Sequence, residues 1–313
     1  MMAKPLVILA GPTAVGKSAL SVKLAKRING SIISADSMQV YKGMDIGTAK
    51  ISQEEMQGIP HYLIDVLDPH EDFNIVRFQE MAKEAIDRII SSGRIPIMVG
   101  GTGFYIQSVL YDIDFTYGED LAEYRSYLQD LIDEKGSVYV HDMLKEVDPD
   151  AAEAIHHNDH KRMIRALEYN KQTGMMISGH NRESANRRAC YDHCYFVLND
   201  DRSLIYERID KRVDEMITAG LESEVRTLLS QGLSKDNVSM HGLGYKEMID
   251  CIEGRCTLED AVYTIKRDSR HFAKRQLTWF KREKDVIWLN RNEDPDIMGT
   301  IIKHLIKRGI LNE

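Results

Sequence analysis

Residues 11–18 read Gly11-Pro12-Thr13-Ala14-Val15-Gly16-Lys17-Ser18, a match to GxxxxGK[ST]. The match follows the apolar run Leu6–Ala10 and opens a stretch with Leu20, Leu24 and Ile28 on one helical stripe. In that strand–loop–helix setting the backbone N–H groups of Gly11 to Ser18 can close around phosphate oxygens, and the helix N-terminus adds partial positive charge. Lys17 is expected to pair with the phosphates, and the Ser18 hydroxyl to sit on Mg²⁺. A loop of this kind means phosphate binding; it does not by itself mean nucleotide hydrolysis.

Five further groups of residues carry chemistry. Asp36-Ser37-Met38-Gln39 follows the short strand candidate Ser31–Ala35, at the end where parallel sheets present their ligands. The Asp36 carboxylate reads either as a general base or as a helix cap. Gly100-Gly101-Thr102-Gly103-Phe104-Tyr105 allows a close backbone approach and offers the Thr102 hydroxyl, or is a plain strand–helix turn. Arg208 and Arg212, four apart on the helix expected over 203–217, suit a diphosphate or else pair with Asp210, Asp214 or Glu215. Lys161, Arg162 and Arg165 open another helix behind Asp159, and residues 266–284 interleave eight basic side chains with His271, Phe272, Trp279 and Phe280. Basic residues among aromatics suit nucleic-acid contact, although the aromatics would equally serve a core. No apolar run ends in an acid as a second nucleotide-binding motif would, and Asp65 within Tyr62–Val66 is the nearest candidate.

The elements that must position these residues alternate. Strand candidates at Leu6–Ala10, Ser31–Ala35, Tyr62–Val66 and Ile95–Val99 are separated by helical stripes, the strongest carrying Phe78, Ala82, Ala85, Ile86 and Ile89. This rhythm predicts an α/β fold with a parallel sheet covered by helices. It breaks near residue 112, and strand signals return only at Cys194–Leu198 and Val286–Leu289. The expected organisation is a core of residues 1–112 and 196–313 interrupted by a helical insertion at 113–195.

The net charge of −8 is unevenly spread: residues 1–150 carry 23 acidic and 14 basic side chains, the remainder 26 and 27. The second half is the more suitable half for a polyanion. Cys190, Cys194, Cys251 and Cys256 lack zinc-finger spacing, so free thiols in a reducing cytoplasm and no disulfide partner are expected. The first apolar run feeds straight into the phosphate loop and reads as a core strand, not a signal peptide. No stretch is long enough to span a membrane.

Taken together, GPTAVGKS at 11–18, DSMQVY at 36–41, KGMDIGTAK at 42–50, GGTGFY at 100–105, NDHKRMIRALE at 158–168, HGLGYKEM at 241–248 and AKRQLTW at 273–279 resemble the tRNA dimethylallyltransferases. The motifs run in order over nearly the whole chain. Departures are small: Val15 stands where a small polar residue is common, and Phe104 where Leu is. The resemblance implies a P-loop NTPase-like core with a tRNA-binding helical insertion. The implied reaction is transfer of a dimethylallyl group from dimethylallyl diphosphate to N6 of the adenosine beside the anticodon, in tRNAs reading codons that begin with U. Asp36, Thr102 and Arg208 would then be catalytic, and residues 11–18 with Arg212 would hold diphosphate with Mg²⁺ on Ser18. The tRNA would meet Asp36, Ser37, Met38, Gln39, Thr102, Lys161, Arg162, Arg165, Gly244, Tyr245, Arg275, Gln276 and Trp279. The alternative from the residues alone is a P-loop kinase of small molecules, which needs no basic helices.

Overall fold

The computed structural model describes residues 4–115, 121–185 and 188–312. Among them six strands form one parallel sheet: β1 (Pro5–Ala10), β2 (Gly30–Ala35), β3 (His61–Tyr62), β4 (Ile95–Gly100), β5 (Asp192–Asn199) and β6 (Val286–Asn290), in the order β3-β2-β4-β1-β5-β6. The central strand shows why the sheet is covered on both faces. Leu6, Ile8 and Ala10 point into one hydrophobic core, and Val7 and Leu9 into another. A period of two sends alternate side chains to opposite faces, so a wholly apolar strand needs helices on each side. The Lys17–Ile28 helix covers the Val7 and Leu9 face with Val22, Leu24, Ala25 and Ile28. The Ile75–Ser91 helix covers the other with Phe78, Ala82, Ala85, Ile86 and Ile89, and is capped by Asn74, whose side chain accepts from the Arg77 N–H at 3.0 Å. The fold is thus the expected α/β core with P-loop-like topology.

Register decides where the loops emerge. Ala10 and Ala35 are both register partners of Gly100, so β1, β2 and β4 end at one level. Gly11, Asp36 and Gly101, the next residues of each strand, therefore leave the sheet side by side. Gly100 allows the close approach, since a Cβ there would collide with the Ala35 carbonyl.

The chain divides into two compact units, Met1–Asp112 with Ala189–Glu313, and Ile113–Arg188. The boundary expected between 195 and 196 falls inside β5, whose Asp192, His193 and Cys194 pair with Pro5, Leu6 and Val7. Polar Asp192 and His193 concealed the start of that strand. The second unit is helical and has its own core, including Leu128, Leu131, Ile132, Leu144, Met163 and Leu167. Within it buried Asp148 accepts from the N–H groups of Ala151 and Ser178 at 3.0 and 2.9 Å, tying two helix starts together. The strand expected over Tyr62–Val66 stops at Tyr62, because Leu63 and Asp65 take left-handed backbone with φ of 62° and 54°.

Gly100→Ala is expected to push β2 and β4 apart and to cost about 1–3 kcal/mol, the usual penalty of overpacking. Thermal unfolding followed by circular dichroism should show a midpoint several degrees lower. A midpoint unchanged to within about 1 °C would mean that the two strand ends can part freely.

Candidate active site

Above the ends of β1, β2 and β4 lies a cleft formed by two adjoining cavities of about 360 and 300 Å³. Thr13, Asp36 and Arg212 line both. Lys17 and Ser18 line the inner one, and Met38, Thr102 and Arg275 the outer one. Lys17 begins its helix and folds its Nζ back to donate to the carbonyls of Gly11 and Pro12, at 2.9 and 2.7 Å. The loop is held from outside by two side chains distant in sequence. Gln276 Oε1 accepts from the Thr13 N–H at 2.9 Å while its Nε2 donates to the Gly101 carbonyl at 3.1 Å. Arg291 donates to the Val15 carbonyl at 2.9 Å. An irregular loop has no ladder to satisfy its polar groups, so such clasps fix its shape.

Two cations share this space. Burial, and then the neighbouring Arg212 guanidinium, push the Lys17 ammonium down to about 7, against a smaller opposing pull from Asp36. Burial likewise lowers Arg212, against Glu215, Asp36 and Glu55. Arg212 donates to the Thr13 hydroxyl at 3.4 Å. A pocket that holds buried positive charge beside the phosphate loop is suited to a polyanion.

Asp36 does not cap a helix. Its Oδ1 accepts from the N–H groups of Met38 and Gln39 at 2.9 and 3.4 Å, closing a turn. The carboxylate faces the cleft together with Ser37 and Met38. Gln39 lines the inner cavity with its amide engaged, its Nε2 donating to the Thr48 carbonyl at 3.3 Å and its Oε1 accepting from the Ser34 hydroxyl at 3.4 Å.

Other expected residues lie elsewhere or do other work. Arg208 is paired with buried Asp200 at 2.7 Å and does not line the cleft; Arg212, one turn further along the same face of the Arg202–Ala219 helix, reaches the loop instead. Asp210 pairs with Arg270 and Asp214 with Lys266, at 2.7 Å for the latter, so part of the basic run holds two helices together. Phe280 is buried in the core, while Phe272 lines the cleft beneath Arg275, 5.7 Å from its ring centroid. Trp279 packs against Gly103 and edge-on to Phe104. Gly244 precedes the Tyr245–Ile252 helix, its N–H donating to Glu247 at 2.8 Å. Tyr245 is buried with its hydroxyl on Glu224 and one side on the cleft. Lys161, Arg162 and Arg165 are exposed on the His160–Thr173 helix of the second unit. Asp65 pairs with Lys50 at 2.5 Å and does not line the cleft. Arg291 and Glu224 carry no motif of their own and are not expected at the site from sequence, and Lys50, the last residue of KGMDIGTAK, has no role that its motif assigns. Among the described residues no three His, Cys, Asp or Glu side chains converge as a metal site, no disulfide joins the four cysteines, and no helix is long and apolar enough to cross a membrane.

At about pH 8 the ammonium of Lys17 is mostly deprotonated in the empty cavity, and an anion beside it must raise its affinity for a proton. Binding of inorganic diphosphate is therefore expected to draw a proton onto Lys17, and calorimetry in two buffers of different ionisation enthalpy measures it. Lys17→Arg, always charged, should lack that contribution; equal proton uptake in both proteins would refute the depressed lysine.

The IPP transferase family model matches residues 39–283 of the chain. The tRNA dimethylallyltransferase of Lachnoclostridium phytofermentans is 58% identical over 98% of this chain and 99% of its own length. The crystal structure of the full-length tRNA isopentenylpyrophosphate transferase from Bacillus halodurans is 43% identical, covers 98% of both chains and superposes with a TM-score of 0.74. A eukaryotic dimethylallyltransferase solved acting on tRNA is 30% identical, covers 97% of this chain and 78% of its own, and gives a TM-score of 0.81. With near-complete coverage, high identity and a phosphate loop opening into a cleft beside Asp36, the chain belongs to the IPP transferase family, the tRNA dimethylallyltransferases.

Proposed function

We propose that this protein transfers the dimethylallyl group of dimethylallyl diphosphate to N6 of the adenosine 3′-adjacent to the anticodon, position 37, in tRNAs reading codons that begin with U. The products are N6-(dimethylallyl)adenosine and diphosphate. The observation that carries the reading is one cleft in which the buried cations Lys17 and Arg212 and the phosphate loop meet the carboxylate of Asp36. The names of the relatives agree with it and do not favour a small-molecule kinase.

The chemistry follows from the charges. The bond between the allylic carbon and the diphosphate oxygen breaks with its electron pair going to oxygen, and the double bond spreads the positive charge left on carbon. Lys17, Arg212 and the N–H groups of residues 14–18 stabilise the charge growing on the leaving group. Mg²⁺, when bound, supplies further neutralisation of the diphosphate oxygens. The hard oxygens lining this cavity, the Ser18 hydroxyl and the Asp36 and Glu55 carboxylates, fit such an ion, and Ser18 is the residue that would hold it. The adenosine N6 lone pair forms the new bond to carbon. Because that pair is delocalised into the ring, N6 must lose a proton, and Asp36 is the acceptor in reach of the cleft. Thr102 offers its hydroxyl to orient the base. Extruding the adenosine costs a few kcal/mol of stacking, repaid by contacts in the cleft.

For tRNA, the exposed cations Lys161, Arg162 and Arg165 on one helix and Arg275 on another support phosphate contacts, with Ser37, Met38 and Tyr245 lining the entrance for the base. Gln276 and Gly244 are already engaged with the protein's own backbone or side chains, which supports a role in shaping the site rather than in touching the nucleic acid. A tRNA substrate and cysteines joined by no disulfide support a cytoplasmic enzyme.

Two experiments test the reading. Asp36→Asn keeps the side-chain size but cannot take the proton, so single-turnover transfer should slow by about 10²–10⁴ with little change in affinity for either substrate. A rate within a factor of about three of wild type excludes Asp36 as the base. Charge reversal at Arg162 and Arg165 should weaken tRNA binding and flatten its dependence on salt, leaving dimethylallyl diphosphate affinity alone. A tRNA affinity in wild type that does not fall between low and high salt removes the electrostatic grip.

A further inference from the structure

The wall of the cleft opposite the phosphate loop is the irregular segment 42–50, which contributes Gly47, Thr48 and Ala49. It has little regular structure of its own, and three successive N–H groups, those of Asp45, Ile46 and Gly47, turn toward a single carboxylate. Glu224, on the Leu221–Ser230 helix, accepts from Asp45 and Ile46 through Oε2 at 2.9 and 2.7 Å, and from Gly47 through Oε1 at 3.1 Å. The Tyr245 hydroxyl completes the set, donating to Oε1 at 2.7 Å. Burial and the carboxylate itself hold that hydroxyl well above its ordinary range, so it stays a donor. Consecutive N–H groups arranged this way form a concave anion site, and here the anion is part of the protein. Lys50, its side chain only 4% exposed, braces the other side of the segment by donating to the Tyr41 carbonyl and to Asp45 and Asp65 at 2.5–2.7 Å. The segment in turn reaches the acid of the cleft: the Thr48 carbonyl accepts from Gln39, and Gln39 belongs to the turn closed by Asp36.

We propose that Glu224 is a positioning residue for transfer: by gathering the N–H groups of residues 45–47 and the Tyr245 hydroxyl, it sets the wall that receives the acceptor base and, through Thr48 and Gln39, the aim of Asp36. Glu224 does not line the cleft and does not touch substrate in this arrangement. Its effect should appear in the rate of the bound complex rather than in diphosphate binding, which belongs to the loop of residues 11–18. The proposal rests on the transfer reaction given under Proposed function.

Glu224→Gln tests it, since an amide nitrogen must face either the paired N–H groups or the Gly47 N–H and the tyrosine hydroxyl. Hydrogen exchange should speed up in the peptide spanning 42–50 and stay slow in β1 and β4. Single-turnover transfer at saturating tRNA and dimethylallyl diphosphate should fall by about 10–100-fold, the scale of a misplaced reacting group, with KM for dimethylallyl diphosphate within about threefold of wild type. Gly47→Ala reaches the same wall without touching Glu224, because a Cβ there would meet the Tyr245 ring at 2.5 Å. It should show the same split between rate and KM, and it decides the matter if Glu224→Gln does not fold. Rates at saturation within a factor of about two of wild type, whether or not the unfolding midpoint drops, overturn the proposal and leave Glu224 a structural residue. A wild-type protein that transfers nothing to tRNA overturns the functional reading instead, and the proposal with it.

Discussion

Lys17 and Arg212 are two cations drawn out of water into one cavity, and the rest of the site is arranged around that cost. Each loses hydration, and each lowers the other's hold on its proton, while Asp36 offsets only part of the repulsion. Such a cavity is electrostatically incomplete until an anion enters, and in the reaction proposed above diphosphate would be both ligand and counter-ion. Until then Lys17 is steadied by the carbonyls of its own loop. In that reaction the charge that binds the substrate would also receive the leaving group, so little need reorganise as the bond breaks.

Keeping the loops in place is a separate problem. The sheet delivers Gly11, Asp36 and Gly101 to one edge through the shared register of Ala10, Ala35 and Gly100, but beyond that edge the backbone has no ladder. Its polar groups are satisfied by side chains from far along the chain: Gln276 bridges the loops after β1 and β4, Arg291 holds Val15, and Glu224 gathers residues 45–47. The bonds from Arg291 and Glu224 are charge-assisted, the kind that fixes geometry most firmly. The carboxyl-terminal half of the first compact unit thus frames a site whose loop and carboxylate come from the amino-terminal half, and it supplies the cation Arg212 itself.

Basic residues in a sequence overstate the surface offered to a polyanion. Of the cations in 266–284, Lys266 and Arg270 face Asp214 and Asp210 and join two helices, and Arg267 pairs with Asp268. Lys274, Arg275, Lys281, Arg282 and Lys284 remain exposed. The aromatics divide in the same way: Phe280 is core, Trp279 fills the space above Gly103, and Phe272 alone of the three lines the cleft.

The sequence by itself determined the α/β core, the phosphate loop, the helical break after residue 112 and the position of Lys17 and Asp36 just beyond the first two strands. These are local properties: a motif eight residues long, a period of two or of 3.6, a change of rhythm. It could not settle β3, where Tyr62–Val66 looks like a strand until left-handed backbone at Leu63 and Asp65 ends it, nor the start of β5, hidden by Asp192 and His193. It could not choose between Arg208 and Arg212, which have the same side chain on the same helix; the packing of that helix sends one to Asp200 and the other to Thr13. Gln276 within its motif looked like a nucleic-acid contact and is a clasp on the loop, and Glu224 had no motif at all. What a side chain does at the site depends on partners up to 276 residues away, as with Arg291 and Val15, and that proximity exists only once the sheet has brought the strand ends together.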